Sequence, residues 1–337
     1  MKRMKLLILG GTVFVGYHLV RSALEAGHEV TLFNRGQSNP NVWKEVEHIQ
    51  GDREHDLGRL HGRKWDAVLD TCGYLPRQVQ SSAEQLAEST EHYTFISSIS
   101  VYRDFTQLHT GEDAPVTPLP EQDSENVRKY YGALKAASES AISRIMGERA
   151  LHVRAGLIVG PQDPTRRFVY WPMRVRQGGQ VLAPGSPAAR QQFIDVRDLA
   201  DWVIRMAEQR RGGVYNAVGP ERPWKMDEII DACMRVTGVH PDLTWVADEF
   251  LYERNIGAWS EMPLWFPQQG DFAAFRHYME VDNRRAMAAG LSFRSLEDTL
   301  SSALHWADLS GAELQDGVVL DPAKEKELLA EWHRLNQ

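Results

Sequence analysis

The sequence predicts an α/β fold, a doubly wound parallel sheet joined to a smaller C-terminal subdomain. Short apolar runs alternate with helix-length amphipathic stretches from residue 5 onward, and runs such as KLLIL and DAVLD are almost entirely apolar. Strands that are buried on both faces have this composition, which is typical of parallel sheets. A glycine-rich turn follows the first run directly, and shorter elements with scattered Pro and Trp begin after Pro161.

The first half of the chain contains most of the predicted sheet. Strands are predicted at residues 5–9, 29–33, 46–50, 65–71 and 93–97, with helices at 14–26 and 78–88. The segment 111–125 carries three prolines and many acidic residues, so we expect an exposed loop. A long helix at 126–146 and a strand at 151–159 follow.

The second half is predicted to contain helices at 166–177, 226–236, 282–289 and 296–309, a short strand and helix within 193–209, and a strand at 214–218. We expect residues 1–165, together with about 191–218, to form the sheet domain. Residues 166–190 and 219–320 would then form the smaller subdomain, and 321–337 a C-terminal surface helix.

Composition narrows the class of protein. The chain has 337 residues, of which 42% are hydrophobic and 25% charged, as in a soluble globular protein. Its formal net charge of −8 opposes non-specific attraction to nucleic acid, so no nucleic-acid partner is expected. The apolar runs are too short for a membrane span, and two cysteines are too few for a disulfide framework. A cytoplasmic protein without a catalytic metal is the expectation.

The glycine-rich turn LGGTVFVG joins the first strand to the first helix. Glycine tolerates positive φ and lets the backbone approach a pyrophosphate, while the helix N-terminus attracts the phosphates. This position predicts a dinucleotide-binding fold of the Rossmann type rather than a plain turn. Val13 stands where the middle glycine of the usual pattern would be. The residues expected to contact the cofactor are Gly10, Gly11, Thr12, Phe14, Val15 and Gly16.

The end of the second strand bears on the choice of cofactor. An acidic residue there would bind the ribose hydroxyls of NAD, but this chain has Asn34 and Arg35. A guanidinium can pair with a 2′-phosphate, which favours NADP over NAD. The alternative interpretation is that Arg35 is an ordinary solvated loop residue without a role in binding. Asp52 follows the third strand and either meets the adenine or stabilises a turn.

Tyr131 and Lys135 lie one helical turn apart in YYGALKAASE and so share one face. A nearby ammonium would lower the pKa of a phenol from about 10 and make it useful in proton transfer. Lys135 can also bind the nicotinamide ribose. The spacing alone is close to what chance would produce, but its context adds weight. FISSISVY ends a predicted strand, and a serine there, foremost Ser98, can orient a substrate oxygen.

Together these motifs resemble the extended short-chain dehydrogenase/reductase family of the NAD-dependent epimerase/dehydratase type. GGTVFVG, FISSISVY, YYGALKAASE, VRAGLIVGPQDPT, FIDVRDLA and YNAVG follow the order found in that family, and the glycine turn resembles an atypical branch. The resemblance implies that Ser98, Tyr131 and Lys135 are catalytic. It also implies that Thr71, Cys72 and Gly73 line the cofactor near the nicotinamide ribose, and it makes a homodimer through the helices at 78–88 and 126–146 possible.

The substrate side is predicted less sharply. Arg103 stands where the family usually has glycine, which suggests an altered pocket. Arg166 and Arg167 could bind a phosphate or carboxylate, or simply face solvent. Tyr170 and Trp171 could stack on a substrate, although such aromatics are more often core. The segment 256–272, with Trp265 as a candidate substrate contact, suits either a lid or a dimer contact.

The leading hypothesis is therefore an NADP- or NAD-dependent enzyme that uses Ser98, Tyr131 and Lys135 for hydride and proton transfer. Its small-molecule substrate would be a nucleotide sugar or a small hydroxyl or carbonyl compound. Epimerase, dehydratase and reductase chemistry all remain open. The alternative is a cofactor-dependent binding protein, such as an RNA-binding or redox-sensing relative.

Overall fold

A computed structural model describes residues 3–120, 124–313 and 319–336. Its strands, in chain order, are β1 Lys5–Leu9, β2 Glu29–Asn34, β3 Glu47–Gln50, β4 Ala67–Asp70, β5 Tyr93–Ser98, β6 Ala150–Ala155, β7 Leu157–Val159, β8 Gln180–Pro184, β9 Arg190–Gln191, β10 Phe193–Asp195, β11 Gly213–Ala217, β12 Trp224–Lys225 and β13 Asp242–Val246. Its helices are α1 Phe14–Glu25, α2 Pro76–Leu86, α3 Val127–Met146, α4 Tyr170–Gln177, α5 Val196–Glu208, α6 Met226–Thr237, α7 Asp248–Glu253, α8 Arg284–Ala288, α9 Leu296–Leu309 and α10 Pro322–Leu335.

Seven parallel strands form the central sheet, in the order β11-β6-β5-β4-β1-β2-β3. Successive side chains of β1 enter the two layers on opposite faces, as the strand repeat of two requires. Leu6 and Ile8 pack with α1 and α5, whereas Leu7 and Leu9 pack with α2 and α3. The chain order steps outward from β1 in both directions, so the carboxyl ends of β1 and β4 flank a crevice. The predicted doubly wound fold is confirmed.

The C-terminal half has a hydrophobic core of its own. Helices α4, α6, α9 and α10 enclose it, together with the parallel pair β8–β13 and the aromatic segment 256–279. The antiparallel pair β9–β12 adds a short second ribbon. Leu328 and Leu329 bury one face of α10 in this core. The sequence analysis did not predict β8, β13 or α7.

A predicted strand and a predicted helix have different bounds in the structure, and a predicted loop is less exposed than expected. The strand predicted at 151–159 is split at Gly156, where a side chain would collide with Val218, and β7 pairs with β10 instead of the main sheet. The helix predicted from residue 166 begins at Tyr170, because Arg166 has a positive φ of 54° in a turn.

The loop predicted at 111–125 is not uniformly exposed. Residues 121–123 lie outside the described part of the chain, but Glu112 is buried and accepts a hydrogen bond from the Asn216 amide at 3.0 Å. Arg154 also donates to the Glu112 carbonyl at 2.9 Å. This loop is therefore fastened to the end of the sheet.

Within the described residues, none of the helices combines the length and the apolar character that crossing a bilayer would require.

Candidate functional site

The turn after β1 has the conformation that its glycines permit. Gly10 and Gly11 have φ values of +108° and +93°, which other residues rarely adopt. A Cβ on Gly16 would lie 2.7 Å from the Gly11 amide nitrogen, so a side chain there would push α1 away from the turn. Val13 is extended (φ −134°), so the position where the usual motif has a glycine needs none in this chain.

The turn leaves donors free for an anion. Among the described residues, the amide groups of Gly11, Thr12 and Val13 have no hydrogen-bond partner. They lie where the chain enters α1, whose dipole favours negative charge at this end. The arrangement fits the pyrophosphate of a dinucleotide.

A cavity of about 710 Å³ opens beside this turn at the carboxyl edge of the sheet. That volume is in the range of sites for cofactor-sized ligands. Most of the predicted cofactor residues line it: Gly10, Thr12, Phe14, Val15, Gly16, Asn34, Arg35, Asp52, Thr71 and Cys72. Gly11 packs against Leu32 instead, and Gly73 presents its carbonyl to Lys135.

Some of the polar residues after β2 and β3 stabilise the backbone, and others can contact a ligand in the cavity. Asn34 donates to the Gly10 carbonyl at 2.8 Å and accepts from the Gly36 amide, so it stabilises the turn. Arg35 is exposed at the cavity rim. Asp52 accepts from the Glu54 amide at 2.8 Å, which matches the turn interpretation of this residue while it still lines the cavity.

A buried ion pair that the sequence analysis missed forms the cavity floor. Arg53 donates to both carboxylate oxygens of Asp70, at 3.0 and 2.8 Å. Burial alone would raise the pKa of Asp70, but Arg53 holds it below its usual range. Burial raises the pKa of the neighbouring Cys72 thiol to about 11, so the thiol stays protonated at neutral pH. The base that follows β3, in QGDR, and the acid that ends β4, in VLDTC, were the available signal.

Ser98 and Tyr131 come close together at the carboxyl end of β5, near enough for Ser98 to act against the rise in the pKa of the Tyr131 phenol. Tyr131 as a whole residue is 36% exposed, so a substrate can reach it, although its hydroxyl lies among neighbouring side chains. Gly132 allows this contact, because a Cβ there would lie 1.9 Å from the Ser100 carbonyl oxygen. Burial raises the pKa of Tyr131 to about 12, with a further contribution from Tyr74 and Tyr278.

This pKa differs in direction from the sequence prediction, and the position of Lys135 explains why. The ammonium is buried and donates to the carbonyls of Gly73 and Ile96, at 2.9 and 2.7 Å. It therefore joins the ends of β4 and β5 and does not act as the counter-charge of the phenol. Burial lowers the pKa of Lys135 to about 8.

Two further tyrosines flank Tyr131 and were not predicted. Tyr74 is 48% exposed and lines the large cavity. Tyr278 comes from the C-terminal half and lies beside Ser100, and both Ser100 and Arg167 are close enough to lower its pKa, which burial raises. No motif surrounds Tyr278, so only the tertiary fold could reveal it.

The candidate substrate residues lie in different surroundings. Arg103 is exposed and pairs with Asp104 at 3.6 Å. Arg166 occupies the turn before α4, and the Arg167 guanidinium lies over the Trp259 ring at 5.1 Å. Tyr170 and Trp171 are buried in the core, so the stacking interpretation of these two is wrong.

The Trp-rich segment packs inside the C-terminal half. Trp265 is buried and donates to Asp248 at 2.7 Å. It borders a second cavity of about 280 Å³, which also exposes Arg190 and Arg276. Among the described residues, the structure brings together no group of His, Cys, Asp and Glu that could hold a metal ion.

Comparison with known proteins agrees with this geometry. The sequence profile of the NAD dependent epimerase/dehydratase family matches residues 6–218. The chain belongs to this family. The match begins in β1 and ends just after β11, so it spans the sheet and the residues that surround the large cavity.

Individual members of the family are distant relatives. The chloroplast stem-loop binding protein of 41 kDa b from Arabidopsis thaliana is 26% identical over 254 residues, which are 69% of this chain. The match covers 63% of that protein, so this chain spans less than two thirds of its relative.

Solved structures share the fold. The Bordetella bronchiseptica enzyme WbmH in complex with NAD+ has a TM-score of 0.68 and 16% identity, covering 92% of this chain and all (100%) of that one. UDP-glucuronic acid 4-epimerase from Bacillus cereus in complex with NAD has a TM-score of 0.66 and 17% identity, covering 91% and 99%.

Proposed function

We propose that this family member is an NAD(P)-dependent epimerase, dehydratase or reductase that acts on a nucleotide sugar or a small hydroxyl or carbonyl compound. One observation carries the proposal. Ser98 and Tyr131 lie close together at the same sheet edge as the glycine turn and its free amides. Cofactor binding and proton transfer can therefore occur side by side.

The cofactor would lie along the 710 Å³ cavity, with its pyrophosphate at the amides of Thr12 and Val13. Thr71 and Cys72 would line the nicotinamide half. When bound, the nicotinamide supplies the hydride acceptor or donor. We propose that NADP is preferred, because Arg35 is exposed at the rim and can pair with a 2′-phosphate.

Each residue of the catalytic set would have a distinct task. Ser98 would hydrogen-bond the substrate oxygen and orient it toward Tyr131. The raised pKa of Tyr131 keeps its proton on the phenol at neutral pH, so the free enzyme is ready to donate a proton. Lys135 would hold the ends of β4 and β5 together and so support both halves of the site.

The nucleotide-sugar proposal draws support from the C-terminal half. The 280 Å³ cavity exposes Arg190 and Arg276, which suit an anionic substrate, and Arg167 lies near the tyrosines. The Bacillus cereus neighbour is described as a UDP-glucuronic acid 4-epimerase.

A homodimer is a further proposal that sedimentation velocity would test.

The test replaces Tyr131 by Phe and uses Tyr130→Phe as a matched control one residue away. The variants are mixed with NAD, NADP or NADPH and with UDP-glucose, UDP-glucuronic acid or UDP-N-acetylglucosamine. The sugar products are separated by chromatography, because an epimerase or dehydratase leaves its cofactor unchanged overall, and absorbance of the reduced nicotinamide reports any net oxidation or reduction. We expect loss of the proton-transfer group to slow turnover at least about 100-fold. Affinity for the cofactor should change less than about twofold, because both variants keep the ring.

Two results would contradict the proposal at different points. If neither dinucleotide binds the wild-type protein, it is not a dinucleotide-dependent enzyme. If Tyr131→Phe turns over any of these substrates as fast as Tyr130→Phe, Tyr131 is not the proton-transfer group.

A second candidate function is a cofactor-dependent binding protein for RNA, which the likeness to the chloroplast stem-loop binding protein favours. The net charge of −8 counts against it, since RNA binding depends strongly on positive charge. A gel-shift titration with a stem-loop RNA, with and without NADP, separates the two. Micromolar or tighter binding would support the RNA-binding candidate.

A further inference from the structure

The connection between β2 and β3 holds the glycine turn by three side chains. Asn34 donates to the carbonyl of Gly10 at 2.8 Å, Trp43 to that of Gly11 at 2.9 Å, and Asn39 to that of Thr12 at 3.0 Å. Three successive carbonyls of one turn thus each accept one side-chain N–H. We refer to Asn34, Asn39 and Trp43 as the turn clamp.

The clamp acts on the same peptide groups that carry the free donors. The carbonyls of Gly10, Gly11 and Thr12 belong to the peptides whose amides are those of the next three residues, 11–13. In a trans peptide the C=O and N–H point in opposite directions. A side chain that holds the carbonyl on one side therefore fixes the direction of the amide on the other side.

Two of the clamp residues are themselves held in place. The Trp43 ring packs on Tyr17 of α1, with ring centroids 4.6 Å apart. Asn39 has a positive φ of 46°, a conformation that asparagine tolerates better than most residues. Trp43 is thus held by its packing on α1, and Asn39 occupies a backbone conformation that suits it.

We propose that Trp43 and Asn39 are positioning residues, which fix the turn so that its amides face the pyrophosphate before the cofactor arrives. This proposal rests on the proposed function, because it takes the turn to bind a dinucleotide. A preformed set of donors loses less freedom on binding, so the clamp raises affinity without touching the ligand.

The same connection carries Arg35, Gln37 and Ser38, which line the cavity where the adenosine end would lie. The clamp therefore ties the adenosine side of the site to its pyrophosphate side. Dinucleotides with and without the 2′-phosphate should be affected alike.

Binding of NAD, NADP and ADP-ribose to the full chain, followed by calorimetry, tests the clamp. Trp43→Phe keeps an aromatic ring against Tyr17 but removes the N–H donor. Asn39→Gly removes the amide while tolerating the positive φ. One lost hydrogen bond should weaken each ligand about 5- to 10-fold. The double variant should lose about 25-fold or more if the two bonds act independently.

Matched controls separate positioning from general damage. Trp332→Phe changes a tryptophan that packs on Phe250, and Asn255→Gly changes another asparagine with a positive φ, 53°. We expect both controls to bind like the wild type. We also expect the melting temperatures of the free clamp variants to match those of their controls.

The outcomes are distinguishable. Wild-type protein that binds none of the three ligands would overturn the proposed function. Binding by the wild type together with unchanged affinities in Trp43→Phe and Asn39→Gly would overturn the clamp alone. An affinity loss of the same size in the control variants would also overturn it.

Discussion

At the scale of single residues, Lys135 illustrates how a correct spacing can have an unexpected consequence. The interval of four residues places it on the same face of α3 as Tyr131, as predicted. Its ammonium nevertheless donates to two backbone carbonyls, because a buried cation needs hydrogen-bond acceptors and these two are within its reach. Sequence spacing predicts the face of a helix but not the partner at the end of a long side chain.

The buried ammonium should make stability depend on pH. The folded-state pKa of Lys135 is about 8, below the unfolded value of 10.5, so between these values the unfolded chain binds more protons. The free energy of unfolding of the wild type, relative to Lys135→Met, should therefore rise by up to about 3 kcal/mol as pH increases from 8 to 10.5. Urea denaturation at a series of pH values measures it.

The exposed Lys64, replaced by Met, provides the reference for losing a surface charge. A relative stability of Lys135→Met that stays constant across this range would show that the ammonium is not destabilised by burial.

At the scale of elements, the approach of α3 to the end of β5 determines the geometry of the site. Gly132 sits at the contact, and the next residue toward the N-terminus is Tyr131. The helix is irregular at Tyr130 (φ −118°, ψ 26°), one residue earlier. The exposed phenol therefore follows a break in the helix and precedes its closest contact with the sheet.

Gly132→Ala should separate these two elements. Alanine favours a helix by about 1 kcal/mol relative to glycine, but its Cβ would lie 1.9 Å from a backbone oxygen that cannot rotate away. We expect a net loss of about 1–3 kcal/mol in the free energy of unfolding, together with slower turnover because Tyr131 moves from Ser98. Chemical denaturation measures the first effect and substrate assays the second.

Gly58→Ala is the control, since nothing lies within 4 Å of a Cβ at that position. Equal stability of the two alanine variants would mean that α3 does not rest on the Ser100 carbonyl.

The sheet elements were predictable because their signals are local. The strands β1, β2, β4 and β5 are short and mostly buried runs, and the glycine turn has its own composition, whereas β3 is largely exposed. The pair β8–β13 was missed because its strands are short and come from distant parts of the chain, and β13 is only half-buried along most of its length. Tyr278 was missed for a related reason, since its neighbours Ser100 and Tyr131 are about 150 or more residues away in sequence.

At the scale of the whole molecule, cofactor binding should raise thermal stability. A ligand that binds only the folded state contributes about 2.7 kcal/mol at one hundred times its Kd. NADP at that excess should raise the melting temperature of the wild type by a few degrees. Gly16→Ala should remove the shift, because its methyl group would lie 2.7 Å from the Gly11 amide nitrogen. Differential scanning fluorimetry measures both.

Gly58→Ala again serves as the reference and should keep the full shift. A Gly16→Ala protein that NADP stabilises as strongly as the wild type would show that the turn does not contact the cofactor.

Tyr278 lies in a part of the chain that the family profile does not match. The match to the family profile ends at residue 218, whereas Tyr278, which lies near Tyr131, comes sixty residues later. Substitutions at residue 278 would therefore alter the proposed site without changing a residue that lines the large cavity. A fragment that ends at the profile boundary would lack Tyr278 and with it one side of the proposed site.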